Sequence, residues 1–160
     1  MLNKIILIKL ISIIFFFSAP LFAAGSDSDD SSKYMDNYKQ AKSFILRAEK
    51  LEKKNKIDKA EKLYAQALDK LKQAYKSDRN NPDVLNYMGF TLRKTGNFQE
   101  AEKFYLMGLK IKPDHNGINE YLGELYIQTN RIELAKKRLE VLANCGCKEY
   151  NELKSLINSQ

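Results

Sequence analysis

The chain has 160 residues, room for one domain, with 27 lysines and arginines against 20 acids. Its basic excess is spread out: the densest clusters, Lys53-Lys54 with Lys56 and Lys136-Lys137-Arg138, are interleaved with acids, so the concentrated basic stripe of a nucleic-acid site is missing. A single histidine, no nucleophile elbow, no phosphate-cradling glycine loop and no paired acids in an apolar setting leave no basis for an enzyme or a cofactor site.

Residues 1–24 read as a secretory signal. Lys4 and Lys9 give a positive start, Leu10–Phe17 is an uncharged apolar run interrupted only by Ser12, and the segment ends in Ala23-Ala24, with cleavage expected after either alanine. Lys9 leaves Leu10–Ala24 as the longest uncharged run, short of the ~20 residues of a spanning helix. Only by burying Lys9 does the segment become a retained anchor. No stable membrane insertion is expected once it is removed, and the address implied is periplasmic. Without Lys4 and Lys9 the basic residues fall from 27 to 25 against 20 acids, a net charge of about +5.

Residues 25–33, Gly25-Ser26-Asp27-Ser28-Asp29-Asp30-Ser31-Ser32-Lys33, are polar and aperiodic and predict a flexible linker. Their aspartates lack the loop glycine and terminal glutamate of a calcium-binding EF-hand. From Tyr34 onward the apolar residues fall at helical spacing and no sheet pattern appears. Breaks at Asn55-Lys56, Asn80-Asn81-Pro82, Gly96-Asn97, Pro113–Gly117, Asn130 and Cys145-Gly146-Cys147 divide the rest into seven helices. These are predicted at Tyr34–Lys53, Ile57–Ser77, Pro82–Lys94, Phe98–Ile111, Asn116–Gln128, Ile132–Asn144 and Lys148–Ile157. Pro82 suits a first helical turn, and Gly96 suits a left-handed residue after a helix end.

Sliding the sequence by 34 residues superposes Met88-Gly89 on Leu122-Gly123, Leu92 on Tyr126, Phe98 on Ile132, Ala101 on Ala135 and Tyr105 on Leu139. Small residues at Gly89, Ala101 and Gly108 permit close helix approach, and Tyr105 and Leu92 fill the space between turns. This period in helix–turn–helix units resembles the tetratricopeptide repeat. The resemblance implies an all-α solenoid with units at about 38–79, 82–115 and 116–144 and a capping helix at 148–158, the domain spanning 34–158. In the first unit Ala48 lies 41 residues before Gly89, seven more than the period. Seven residues are two helical turns, so the helix ending near Ser77 is expected to run about 10 Å beyond its equivalents. Tyr150, Leu153 and Leu156/Ile157 give the last helix one apolar face to close the stack.

Family resemblance further implies that the first helices of the units line a concave face that binds a protein or peptide partner. Its residues would be Asn86, Phe90, Arg93 and Lys94, then Glu120, Glu124, Ile127 and Gln128, with Ile45, Glu49 and Glu52 from the first unit. Phe90 is expected as an exposed aromatic beside Arg93 and Lys94, with Glu120 and Glu124 solvated opposite. On this reading Phe90→Ala and Arg93→Glu weaken capture without loss of helicity. The lysine–asparagine carboxylate clamp of some family members is absent, since Ile45 and Glu49 occupy its positions.

Cys145-Gly146-Cys147 stands where the third unit turns into the cap, and export places it in an oxidising compartment. The surrounding Leu139–Leu156 resembles the C-terminal end of small exported repeat proteins of alphaproteobacteria, which carry a cysteine pair at wider spacing. A structural disulfide is one reading. A redox pair is another, because so small a ring is strained and labile, and free thiols or an intermolecular link are the third. A metal role lacks ligands, since His115 is the sole histidine and is expected exposed on its turn. Two further function classes stay open: an accessory factor in envelope assembly, of the cytochrome c maturation or cell-division type, using the cysteines, and a structural homo-oligomer, including a dimer along the long first pair.

Overall fold

The computed structural model describes the backbone of residues 27–160 and the side chains of residues 31–160. The expected signal at 1–24 and the first residues of the expected linker lie outside the described residues. Seven helices follow in order: α1 Asp27–Glu52, α2 Ile57–Ser77, α3 Pro82–Lys94, α4 Phe98–Ile111, α5 Asn116–Gln128, α6 Ile132–Leu142 and α7 Lys148–Asn158. There is no strand among the described residues.

Helix α1 begins at Asp27, so most of the expected linker is helical. Two physical effects favour the longer helix. Acidic residues near a helix start suit the positive end of its dipole. Farther along, Tyr34 and Tyr38 stack with ring centroids 6.2 Å apart, and the Tyr34 hydroxyl accepts a hydrogen bond from Asn81 Nδ2 at 2.8 Å. These contacts tie the early turns of α1 to the loop ahead of α3.

Helices pair as α1 with α2, α3 with α4 and α5 with α6. The first pair meets along Ala41, Ile45 and Ala48 of α1 and Ala60, Tyr64, Ala67, Leu71 and Ala74 of α2, all buried. Alanines every seven residues, two helical turns apart, keep one stripe of each helix small and let the two axes approach. Helix α2 has 21 residues and α4 has 14, a difference of seven, or about 10 Å, as the register shift predicts.

Each pair turns in the same way. Asn55, Gly96 and Asn130 have φ of 54°, 77° and 57°. The next residue's N–H then reaches back five positions: Lys56 to Leu51 O, Asn97 to Leu92 O and Arg131 to Tyr126 O, at 2.9, 2.8 and 2.7 Å. This is a left-handed helix-end motif, for which asparagine is the best substitute for glycine. The turn positions are separated by 41 and then 34 residues, so the backbone repeats the spacing of the sequence.

Close packing explains the small residues. A Cβ at Gly89 would meet Tyr105 ring carbons at 2.5–2.8 Å, and one at Gly123 would meet Leu153 of α7 at 2.5 Å. Leu153 is fully buried, so α7 caps the stack through this contact; Ile157 packs on the same core, whereas Leu156 is exposed. Across the α6–α7 turn Cys145 and Cys147 are bonded to each other, with Gly146 between them at φ +60°. No helix among the described residues is long and apolar enough to cross a membrane.

Candidate functional site: a wall of alternate helices

A cavity of about 450 Å³ is lined by α1, by Lys53 just after it, and by α3, α5 and α7, with no contribution from α2, α4 or α6. A smaller one, about 220 Å³, draws on the same four helices. Alternate helices therefore form one inner wall, as stacking of helix pairs requires. A third cavity, about 560 Å³, continues it past the start of α5.

The accessible apolar part of the wall consists of Leu46, Tyr87 and Tyr121, which line the smaller cavity together with the buried Phe90 and Ile45. Leu46 is 57% exposed, unusual for a leucine facing a cleft. None of the three was among the expected groove residues. Their signal is in the register: Tyr87 and Tyr121 are 34 apart and Leu46 precedes Tyr87 by 41, so all three hold one repeat position, each just after Ile45, Asn86 or Glu120.

The expected residues divide differently from the sequence reading. Phe90 is buried, 5% exposed, with its ring centroid 6.0 Å from Tyr64 and 4.9 Å from Tyr121. It is a core aromatic between neighbouring units, because its helix position faces α2 and α5 rather than open water. Arg93 is equally buried. Its guanidinium bonds Glu124 at 2.6 Å and Gln128 Oε1 at 3.2 Å, and lies over the Phe90 and Tyr121 rings at 5.6 and 5.8 Å. It is an internal tie from α3 to α5, not a free cation. Ile127 packs against the core and lines none of these three cavities. Lys94 does reach the wall, where it pairs with Glu52 at 2.7 Å; Glu52 also accepts from the Tyr64 hydroxyl at 2.9 Å.

Glu120, expected to be solvated, is 3% exposed. Burial, followed by its hydrogen bond with Glu152 of α7 and the charges of Glu152 and Glu124, raises its carboxyl to about 9, with Lys148 opposing. At neutral pH the proton therefore resides on Glu120, and Glu152, accepting from it, is held below the usual carboxylate range. Glu49 of α1 is raised too, mainly by burial. Asn86 is 6% exposed and lines the 560 Å³ cavity. His115 is not a loose surface group: Nδ1 accepts from Ile118 N–H at 3.2 Å, capping α5, and Nε2 lies 3.1 Å from Asp83 at the start of α3. Among the described residues no group of three His, Cys, Asp or Glu is placed to hold a metal ion.

Residues 58–117 match a tetratricopeptide-repeat family model. Over 64 residues, 40% of the chain, the sequence is 31% identical to Protein O-mannosyl-transferase TMTC3 of Homo sapiens, spanning 7% of that protein's length. Among solved structures, the first TPR of Spaghetti (RPAP3), bound to the HSP90 peptide SRMEEVD, is similar with a TM-score of 0.53 at 20% identity, over 76% of this chain and 94% of that one. The Arabidopsis OM64 TPR domain is similar with a TM-score of 0.49 at 14% identity, over 77% of this chain and 98% of that one. Likeness at such identity is a likeness of fold. With the 34-residue period and the repeated turns, the likeness to the Spaghetti domain and the family-model match make this chain an all-α solenoid of tetratricopeptide-type helix pairs closed by a C-terminal cap.

Proposed function

We propose that the protein is an interaction module that holds an extended segment of a partner protein along the wall of α1, α3, α5 and α7. The observation that carries this reading is the Leu46–Tyr87–Tyr121 patch. A leucine left 57% exposed inside a cleft, beside two tyrosine rings and rimmed by charge, is an arrangement that a partner's apolar side chain would complete. The structurally similar Spaghetti domain, in complex with a peptide, is a precedent for such use of the fold. Lys94, Glu49 and Glu124 supply polar contacts around the patch. The setting we propose is the periplasm, on the strength of the leader-like residues 1–24. The test is substitution of the exposed patch: Leu46→Asp abolishes capture of the partner found by crosslinking in intact cells, at unchanged helicity. Capture at wild-type strength by that variant would move the binding surface elsewhere.

A second reading rests on α4, whose Leu106, Met107 and Ile111 are exposed. Such an outer apolar strip favours self-association, and sedimentation across a concentration series decides it: a monomer at every concentration removes this reading.

A further inference from the structure

We infer that the inner wall around Glu120 and Asn86 is a subsite for a basic side chain, lysine or arginine, of the bound partner segment. The inference rests on the groove reading above and names the chemistry that the groove selects.

The 450 and 560 Å³ cavities meet at Glu120, Tyr121 and Lys148 and are lined between them by eight carboxyl side chains and five lysines or arginines. The chain as a whole has the opposite balance, +7. Three of those five cations already have carboxylate partners: Arg93 with Glu124, Lys94 with Glu52 and Lys148 with Glu152, the last at 3.5 Å. The wall is thus acidic where the rest of the molecule is basic.

The side-chain oxygen of Asn86, buried with its residue, accepts no hydrogen bond from the described residues, although it belongs to a residue lining the same cavity as Glu120. A buried acceptor without a donor is costly, and a donor group of a bound partner segment would satisfy it. Gly117 keeps that floor open, since a Cβ there would meet Asn86 Nδ2 at 2.9 Å. An ammonium or guanidinium group donates to both Glu120 and Asn86, while its methylene stem lies along Tyr121 and Tyr87. An acidic or neutral side chain offers neither the charge nor the same donors.

Burial, the hydrogen bond with Glu152 and the charges of Glu152 and Glu124 keep Glu120 protonated. The groups facing it are Glu124 on its own helix, Arg93 on α3, Glu49 on α1, and Lys148, Glu149 and Glu152 on α7. A bound cation favours the ionised carboxylate, so binding displaces the proton to water, and affinity for a basic ligand rises with pH while Glu120 is still protonated in the free protein.

The test uses acetylated, amidated peptides of sequence Ala-Leu-Ala-Xaa-Ala with Xaa arginine, glutamine or glutamate, titrated into the folded protein and followed by amide chemical shifts. The arginine peptide is expected to bind at least fivefold more tightly than the glutamine peptide, shifting Glu120–Glu124 and Lys148–Glu152, with the ratio growing from pH 6 to pH 8. In Glu120→Gln the preference falls to about one while shifts at Leu46 and Tyr87 persist. Glu152→Gln, whose side chain is exposed, guards against a folding defect and should reduce the preference in part. Equal or tighter binding of the glutamine or glutamate peptide, with shifts at Leu46 and Tyr87, overturns the basic subsite and leaves the groove standing. Absence of groove shifts with all three peptides overturns both.

Discussion

Gly89→Ala isolates the contact on which the helix nesting depends. An added Cβ would stand 2.5, 2.6 and 2.8 Å from three carbons of the Tyr105 ring, which is fully buried and has no free space to swing into. Glycine to alanine within an unobstructed helix stabilises by about 1 kcal/mol. Overpacking a core costs about 1–3 kcal/mol. Three ring atoms inside contact distance put the clash toward the upper end, so the net effect is a loss of about 1–2 kcal/mol. With a urea m-value of about 2 kcal/mol/M, the middle of the range for small proteins, the unfolding midpoint read by circular dichroism drops by roughly 0.5–1 M. Shortening the obstacle in the double variant Gly89→Ala with Tyr105→Leu returns part of that loss. A midpoint for Gly89→Ala equal to or above wild type would refute the packing of α3 on α4 described above.

Other consequences concern the wall and the cap. Phe90→Ala removes the ring between Tyr64 and Tyr121 and is expected to cost about 3–5 kcal/mol, so it unfolds the protein at lower denaturant instead of acting as a clean binding variant; an unchanged midpoint contradicts its core placement. Glu120 holds a proton in the fold up to about pH 9 and loses it in the unfolded chain at ordinary carboxyl pH. The folded state therefore binds more protons between those limits, and stability falls as pH rises through that window. Thermal midpoints at pH 5, 7 and 9 should decline for wild type more than for Glu120→Gln, and parallel declines would count against the buried carboxyl. Thiol titration of the unreduced protein should find neither Cys145 nor Cys147 free; two reactive thiols would contradict the pairing across Gly146.

Much of the architecture could be read before any coordinates because it is set by local, repeated causes. Pro82, Gly96, Asn130 and the alanine and glycine spacings each fix a boundary or a close approach, and α2 through α5 begin and end where the pattern places them. The start of α1 was not legible: a serine- and aspartate-rich segment looks like linker until Tyr34 and Tyr38 find Asn81 and Tyr87 in space. The wall was legible as a set of helices but not as a set of side chains. Moving one residue along a helix rotates a side chain by about 100°, so Phe90 fell on the flank that packs inward, and Asn86 and Glu120, buried yet lining the wall, were named without Tyr87 and Tyr121 beside them. Burial of Arg93 and Glu120 depends on α7 and on Gln128, contacts between units that no single repeat encodes.

Site-specific photocrosslinking tests the central claim most directly. A photoreactive phenylalanine analogue is placed at Leu46, inside the wall, or at Met107, on the outer face of α4, and cells are illuminated intact. The inner-wall account predicts a discrete partner adduct from position 46, suppressed by Tyr121→Asp, and none from position 107. The same adduct formed from position 107 and missing from position 46 would place binding on the outer face and contradict the account.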